Sequence, residues 1–115
     1  MQKRPLELTL LAFALAVNGA LGLVNIFFLS RPPADLIWPL AAVYGFVHTF
    51  IAYALFSMWR YAPKVARPAI IAFFIGSFLL LQTLNQVLLT LNILVYLYSL
   101  FYIYRPDVRT AFGED

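Results

Sequence analysis

Polar residues divide this chain into long apolar runs, and the lengths of those runs predict its elements. Residues 6–29 carry one charge, Glu7, at their edge, and residues 36–59 carry none. Residues 69–104 are also free of charge. A helix needs about 20 residues to cross the hydrocarbon of a bilayer, so each of the first two runs predicts one span. As a single helix, residues 69–104 would reach roughly 54 Å at 1.5 Å per residue, against a hydrocarbon core of about 30 Å. Tilt does not absorb that excess, and the run reads instead as a helical hairpin. The polar cluster Gln82, Thr83, Asn85 and Gln86 marks its turn, placed near residues 85–90; a turn at Thr90–Asn92 would leave the last helix short. The pattern therefore predicts an all-α, integral-membrane four-helix bundle. It forms a single domain over residues 1–115, with spans at about 6–29, 36–59, 69–86 and 88–104.

Proline positions agree with these limits. Pro5, Pro39 and Pro68 fall just before or within first turns, where a missing N–H costs little. Arg31-Pro32-Pro33 separates the first two spans, Pro63 is assigned to the loop between the second and third, and Pro106 stops the last.

Composition narrows the class. Hydrophobic residues make up 63% of the chain and charged residues 11%, against roughly 45–50% apolar in soluble domains. At 115 residues there is room for one small domain, and a soluble globule of that size needs more polar surface. The surplus apolar surface faces lipid or protein partners. Lys3 and Arg4 precede an apolar run in the manner of a signal peptide, but the run passes well beyond the ~7–15 residues of a signal core. The following segment is apolar again, so the run reads as a retained span. The absence of cysteine removes disulfides, thiolate metal sites, iron–sulfur clusters and thiol relays, and leaves the compartment open.

Charge placement adds orientation. The net charge is +3 and the pI about 9.5, yet the basic residues are scattered between apolar runs. They make no dense basic face for nucleic acid. Of the 8 Lys and Arg residues, only Arg31 falls on one side of a four-span arrangement; Lys3, Arg4, Arg60, Lys64, Arg67, Arg105 and Arg109 fall on the other. The positive-inside rule then puts both termini in the cytoplasm of a multi-pass cell-membrane protein. That asymmetry requires an even number of spans, which the apolar lengths supply independently. Trp38 stands at an outer helix end and Trp59, Tyr61, Tyr102 and Tyr104 at inner ends, where amphipathic rings favour the headgroup level.

His48, about halfway along the second span, is the one candidate cofactor-binding residue. A polar side chain at that depth is turned inward or paired. It could relay protons or act as axial ligand to a haem or chlorophyll-type pigment, with Gly45 one turn earlier leaving room for a flat ring. The competing and favoured reading is a neutral histidine bonded to Asn18, Asn25 or a tyrosine, since a second histidine for bis-His haem is missing. Asn18, Gly22 and Asn25 share one face of the first span, extended by Leu11 and Ala14. They form a polar conduit or, more simply, a packing seam. Gln82, with Thr83, Asn85 and Gln86, is assigned to the polar bundle interior near the outer face, or to satisfying backbone groups at the turn. Asn92, Tyr96 and Ser99 share an inward face of the fourth span, and Tyr98 and Tyr102 make a second, aromatic stripe.

Catalytic chemistry has little to stand on. Glu7, Asp35, Asp107, Glu114 and Asp115 all lie at edges or in the tail, so no carboxylate pair falls within a span. General acid–base work and cation-coupled transport need such groups inside. Metal-ligand spacings, phosphate-binding glycine loops and nucleophile elbows do not occur. The expectation is a non-enzyme with no catalytic residue, no metal and no cofactor that the sequence requires.

The stretch Met58-Trp59-Arg60-Tyr61-Ala62-Pro63-Lys64-Val65-Ala66-Arg67, and the end Tyr102-Ile103-Tyr104-Arg105-Pro106-Asp107-Val108-Arg109-Thr110-Ala111-Phe112, resemble small prokaryotic four-span membrane proteins of unknown function. In those a tryptophan–basic loop leads into span three, and the last span closes with an R-P-x-V-R-x-x-F type tail. The resemblance implies the four-span fold and transfers no site. Small multidrug carriers, which need a glutamate embedded in span one, and four-span quinone-reducing thiol enzymes, which need cysteine pairs, do not match. The leading expectation is an accessory or assembly subunit of a larger membrane complex, respiratory or photosynthetic, partnered by lipid and by other membrane subunits or itself. Two other readings stay open: a small homo-oligomeric transporter or channel lined by Asn18, Asn25, His48 and Gln82, and a binder of pigment, quinone or lipid.

Overall fold

A computed structural model of the chain describes residues 6–113. Lys3, Arg4 and Pro5, and the acidic end Glu114 and Asp115, lie outside the described residues. Four helices are long and apolar enough to cross a membrane: α1 (Leu6–Ser30), α2 (Ala34–Phe56), α3 (Ala62–Leu79) and α4 (Gln86–Ile103). A short helix α5 (Pro106–Ala111) follows, and no strand occurs among the described residues. The bundle measures 45 × 20 × 20 Å, which matches the ~40–45 Å of a bilayer with its headgroups.

Each helix end has a local cause. α1 stops where Arg31 turns left-handed at φ 46° and donates its N–H to Ile26 O at 3.1 Å, and Pro32 and Pro33 then prevent continuation. α2 ends at Phe56, short of the expected 59. Met58 adopts φ 61°, its N–H reaching Leu55 O at 3.2 Å while Trp59 N–H reaches Ala54 O at 3.0 Å. That double closure satisfies carbonyls that a helix end in lipid would otherwise leave bare.

The third helix departs most from the expected limits. It starts at Ala62 rather than 69, with Pro63 in its first turn and Pro68 inside it. Ala62, Ala66 and Ile70, one turn apart, are all buried while Lys64 stays exposed. Burial of that stripe makes the basic segment the amphipathic start of a helix instead of a loop. The helix then ends at Leu79, and the hairpin turn occupies 80–85, ahead of the expected 85–90. Asn85 decides this: its Oδ1 accepts from Val87 N–H at 3.1 Å and Leu88 N–H at 3.3 Å, capping α4.

Around the bundle, α1 packs along α2 and α4, and α3 packs along α4. α2 meets α3 mainly through its His48–Phe56 half, so their other halves splay. Two apolar cores result. The larger, near the basic end, includes Leu8, Leu11, Leu15, Ile51, Leu55, Ile70 and Ile103, with Val108 and Phe112 of the tail folded against it. The smaller, near Arg31, gathers Ile26, Tyr44, Leu84 and Leu89. Polar side chains lie between and beside them.

Candidate functional site

Both of the first two helices widen by one residue per turn over a short stretch, Asn25–Ser30 in α1 and Ala42–Val47 in α2. Such π-type turns shift a carbonyl out of the ordinary ladder and collect at functional positions. In α2 the displaced carbonyl is that of Val43. It accepts the His48 backbone N–H, and the His48 ring Nδ1 lies 2.9 Å from it. A carbonyl can only accept, so Nδ1 carries the proton. Nε2 is then the acceptor for the Tyr96 hydroxyl of α4 at 2.8 Å. Phe73 of α3 stacks on the imidazole, ring centroids 4.4 Å apart and 15° from parallel. Tyr44, one turn earlier, also stacks with the imidazole, ring centroids 5.4 Å apart. His48 thus joins three helices, with both ring nitrogens engaged.

Beside this cluster runs a second set of polar contacts between α1 and α4. Asn92 Nδ2 donates to Asn18 Oδ1 at 2.5 Å and to Asn18 O at 3.1 Å, and Asn18 Nδ2 donates back to Asn92 O at 3.5 Å. Nearer Arg31, Asn25 Nδ2 donates to Asn85 O at 3.2 Å while its Oδ1 accepts from Asn85 N–H at 3.0 Å and from the Ser30 hydroxyl. The Ser30 oxygen itself accepts from Asn85 N–H at 2.5 Å. Asn18, Asn25 and Asn92 are completely buried. Hydrocarbon offers no competing partner for these amides, so they bond one another across the helix interface, and only the Asn92 Oδ1 among them is left without a donor.

Glycines make this approach feasible. A Cβ at Gly19 would run into the Tyr44 carbonyl and come within 2.8 Å of His48 Cβ, and one at Gly22 would enter the Tyr44 ring. The α1 stripe is therefore a contact seam on which the Tyr44–His48 edge of α2 rests.

The sequence-derived candidates sort as follows. Asn18, Asn25 and His48 are each buried on the inner faces of the bundle, but each bonds elsewhere: Asn18 to Asn92, Asn25 to Asn85 and Ser30, and His48 to Tyr96, the tyrosine alternative expected for it. Gln82 is not buried: it lies exposed in the 80–85 turn, which corrects its assignment to the bundle interior. The cause is the early end of α3, which leaves Gln82 beyond the last helical turn. Gly45 faces Leu23, whose Cδ1 would lie 3.6 Å from a Cβ there, so that side chain occupies the space expected for a flat ring. Asn92, Tyr96 and Ser99 turn inward and are buried. Tyr98 and Tyr102 stack at 6.2 Å. Sequence reasoning missed Tyr44 and the pairing of Asn18 with Asn92. Their signal was present only as small residues and amides at helical spacing in separate segments.

At the basic end, Arg105 bridges Glu7 of α1 at 2.9 Å and Asp107 of α5 at 2.8 Å. The hydrogen bonds it donates to Asp107, then to Glu7, hold its guanidinium above its usual pKa. Lys64 and Arg60 both lie over the Tyr61 ring, at 5.9 and 5.6 Å from its centroid. Among the described residues no group of three His, Cys, Asp or Glu is placed to hold a metal.

Fold and site together define a multi-pass, four-helix membrane protein with a polar seam inside it. Comparison of the chain with protein-family models, curated proteins and solved structures found no match.

Proposed function

We propose that this chain is a non-catalytic accessory or assembly subunit of a larger membrane complex, of the respiratory or photosynthetic kind, seated with both termini in the cytoplasm. The observation that carries the proposal is the outward face of α2. Phe46, Phe50 and Tyr53 recur at helical spacing and expose 74, 46 and 69% of their surface. Large rings are favoured at the centres of protein–protein contacts. The inner polar groups support the same reading, because Asn18, Asn25 and His48 spend their hydrogen-bonding atoms inside the bundle. A homo-oligomeric carrier or channel would need such groups facing a path. The orientation rests on the basic residues Arg60, Lys64, Arg67, Arg105 and Arg109 at one end against Arg31 at the other.

Purification in mild detergent followed by native mass measurement tests the assignment. The expected result is a complex with other membrane subunits, lost on Phe46→Ala with Tyr53→Ala while the melting temperature holds. A lone protomer would overturn it. Protease protection of tags at both ends in intact cells tests the orientation, and cleavage of either tag from outside would reverse it.

A further inference from the structure

Where α2 and α3 splay, a groove of about 280 Å³ opens between them. Its rim is apolar: Leu40 and Val43 on α2, Gly76 on α3 and Leu80 just past its end, all half-buried. Its floor differs in kind, because Tyr44, Ser77 and Tyr96 are each at least nine-tenths buried and each carries a hydroxyl. Two of those hydroxyl protons are already committed. Ser77 donates to Phe73 O at 2.7 Å and Tyr96 donates to His48 Nε2. The Tyr44 hydroxyl has no hydrogen-bond partner among the described residues, although the residue is only 4% exposed. Leaving such a donor unpaired in hydrocarbon is costly.

We propose that this groove binds the ring of a lipid-soluble quinone, one ring carbonyl accepting the Tyr44 hydroxyl proton and the tail leaving over Leu40 and Leu80 into the bilayer. The chemistry of the lining selects that class. No charged side chain lines the groove, so an ionic headgroup has no partner there. An acyl chain would fill the space but leave the Tyr44 hydroxyl unmet. A carbonyl on a flat ring answers the one free donor, and the Phe73 ring, backed by the His48 imidazole at 4.4 Å, supplies a flat aromatic wall. The volume suits a ring with its first substituents and not a whole tailed molecule, which fits a ligand that enters sideways from lipid. Gly76 keeps the mouth open: nothing stands within 4 Å of where its Cβ would be. This site is independent of the outward α2 face that carries the proposed docking role.

The test uses the full chain in lipid nanodiscs, titrated with a radiolabelled benzoquinone bearing a decyl tail, with unlabelled quinone and palmitate as competitors. Saturable binding is expected, displaced by unlabelled quinone and not by palmitate. Gly76→Leu places a side chain in open space, so the fold should persist by melting while affinity drops at least about tenfold. Tyr44→Phe keeps the ring on Gly22 and removes only the donor, with an expected loss of about fivefold. Absence of saturable binding, or wild-type affinity in a folded Gly76→Leu protein, would overturn the site. Equal displacement by palmitate with an unaffected Tyr44→Phe protein would overturn the ligand class, identifying an acyl chain as the occupant.

Discussion

In the half of the bundle near Arg105, aliphatic side chains from all the helices interlock, and the tail folds back to add Val108 and Phe112. In the half near Arg31 the apolar core shrinks to a handful of residues, and amides and glycines make the contacts instead, with the His48–Tyr96 pair at the junction of the two halves. Lipid is as apolar as leucine, so burial of greasy surface does little to draw helices together inside a bilayer. Helices associate there either by close packing or by polar bonds that hydrocarbon cannot replace. This chain uses the first means at one end and the second at the other. The polar half is also the half in which α2 and α3 part to leave a groove.

The sharpest way to break this contrast is to push the helices of the polar half apart. Gly19→Val would drive a side chain against the Tyr44 backbone, which has no rotamer by which to yield. Its cost should reach the top of the ~1–3 kcal/mol range for overpacking, read as loss of folded protein in a denaturant titration. Leu55→Ala, in the close-packed half, should cost less, about 2 kcal/mol. The cavity remains there, but the missing transfer from water contributes little in lipid. Removing single polar bonds should be milder still. Tyr96→Phe deprives His48 Nε2 of its donor and should cost about 0.6–1.7 kcal/mol, as measured for polar pairs between membrane helices. A cycle combining Asn18→Ala with Asn92→Ala should show coupling of the same size, and additivity would remove the amide pair from the account.

The smallest effect is expected at the exposed tie of Arg105. Arg105→Gln should shift the melting temperature by no more than about 2 °C, and less at high salt. The sign of its pH dependence follows from the raised pKa. The contribution is complete below the ordinary guanidinium pKa and fades only as pH climbs past the raised value. Titration from about pH 7 to about pH 10 should therefore show no loss from this group, and a marked fall in that window would point to another residue.

Much of the candidate site was legible as residue types at helical spacing. Asn18, Gly22 and Asn25 announced one face of α1, and Asn92, Tyr96 and Ser99 one face of α4. What spacing cannot convey is which face meets which, or at what height. Asn18 and Asn92 are far apart in sequence, and either could have bonded His48. The widened turn before His48 depends on the whole α2 backbone, so neither the Val43 carbonyl nor the resulting tautomer was visible beforehand. Gln82 misled for a related reason. Its polarity signalled a turn or an interior equally, and only the Asn85 cap, with the end of α3 at Leu79, decided between them.

By itself the sequence determined the number of crossings, the helical class and the separation of basic residues toward the helix ends, because hydrocarbon admits only backbone that bonds to itself over about 20 residues. Tertiary structure alone decided the partners of the buried amides, the start of α3 at Ala62, and the opening between α2 and α3 over Tyr44. Those outcomes turn on side-chain fit between helices to within an ångström or so, and linear order does not encode such distances.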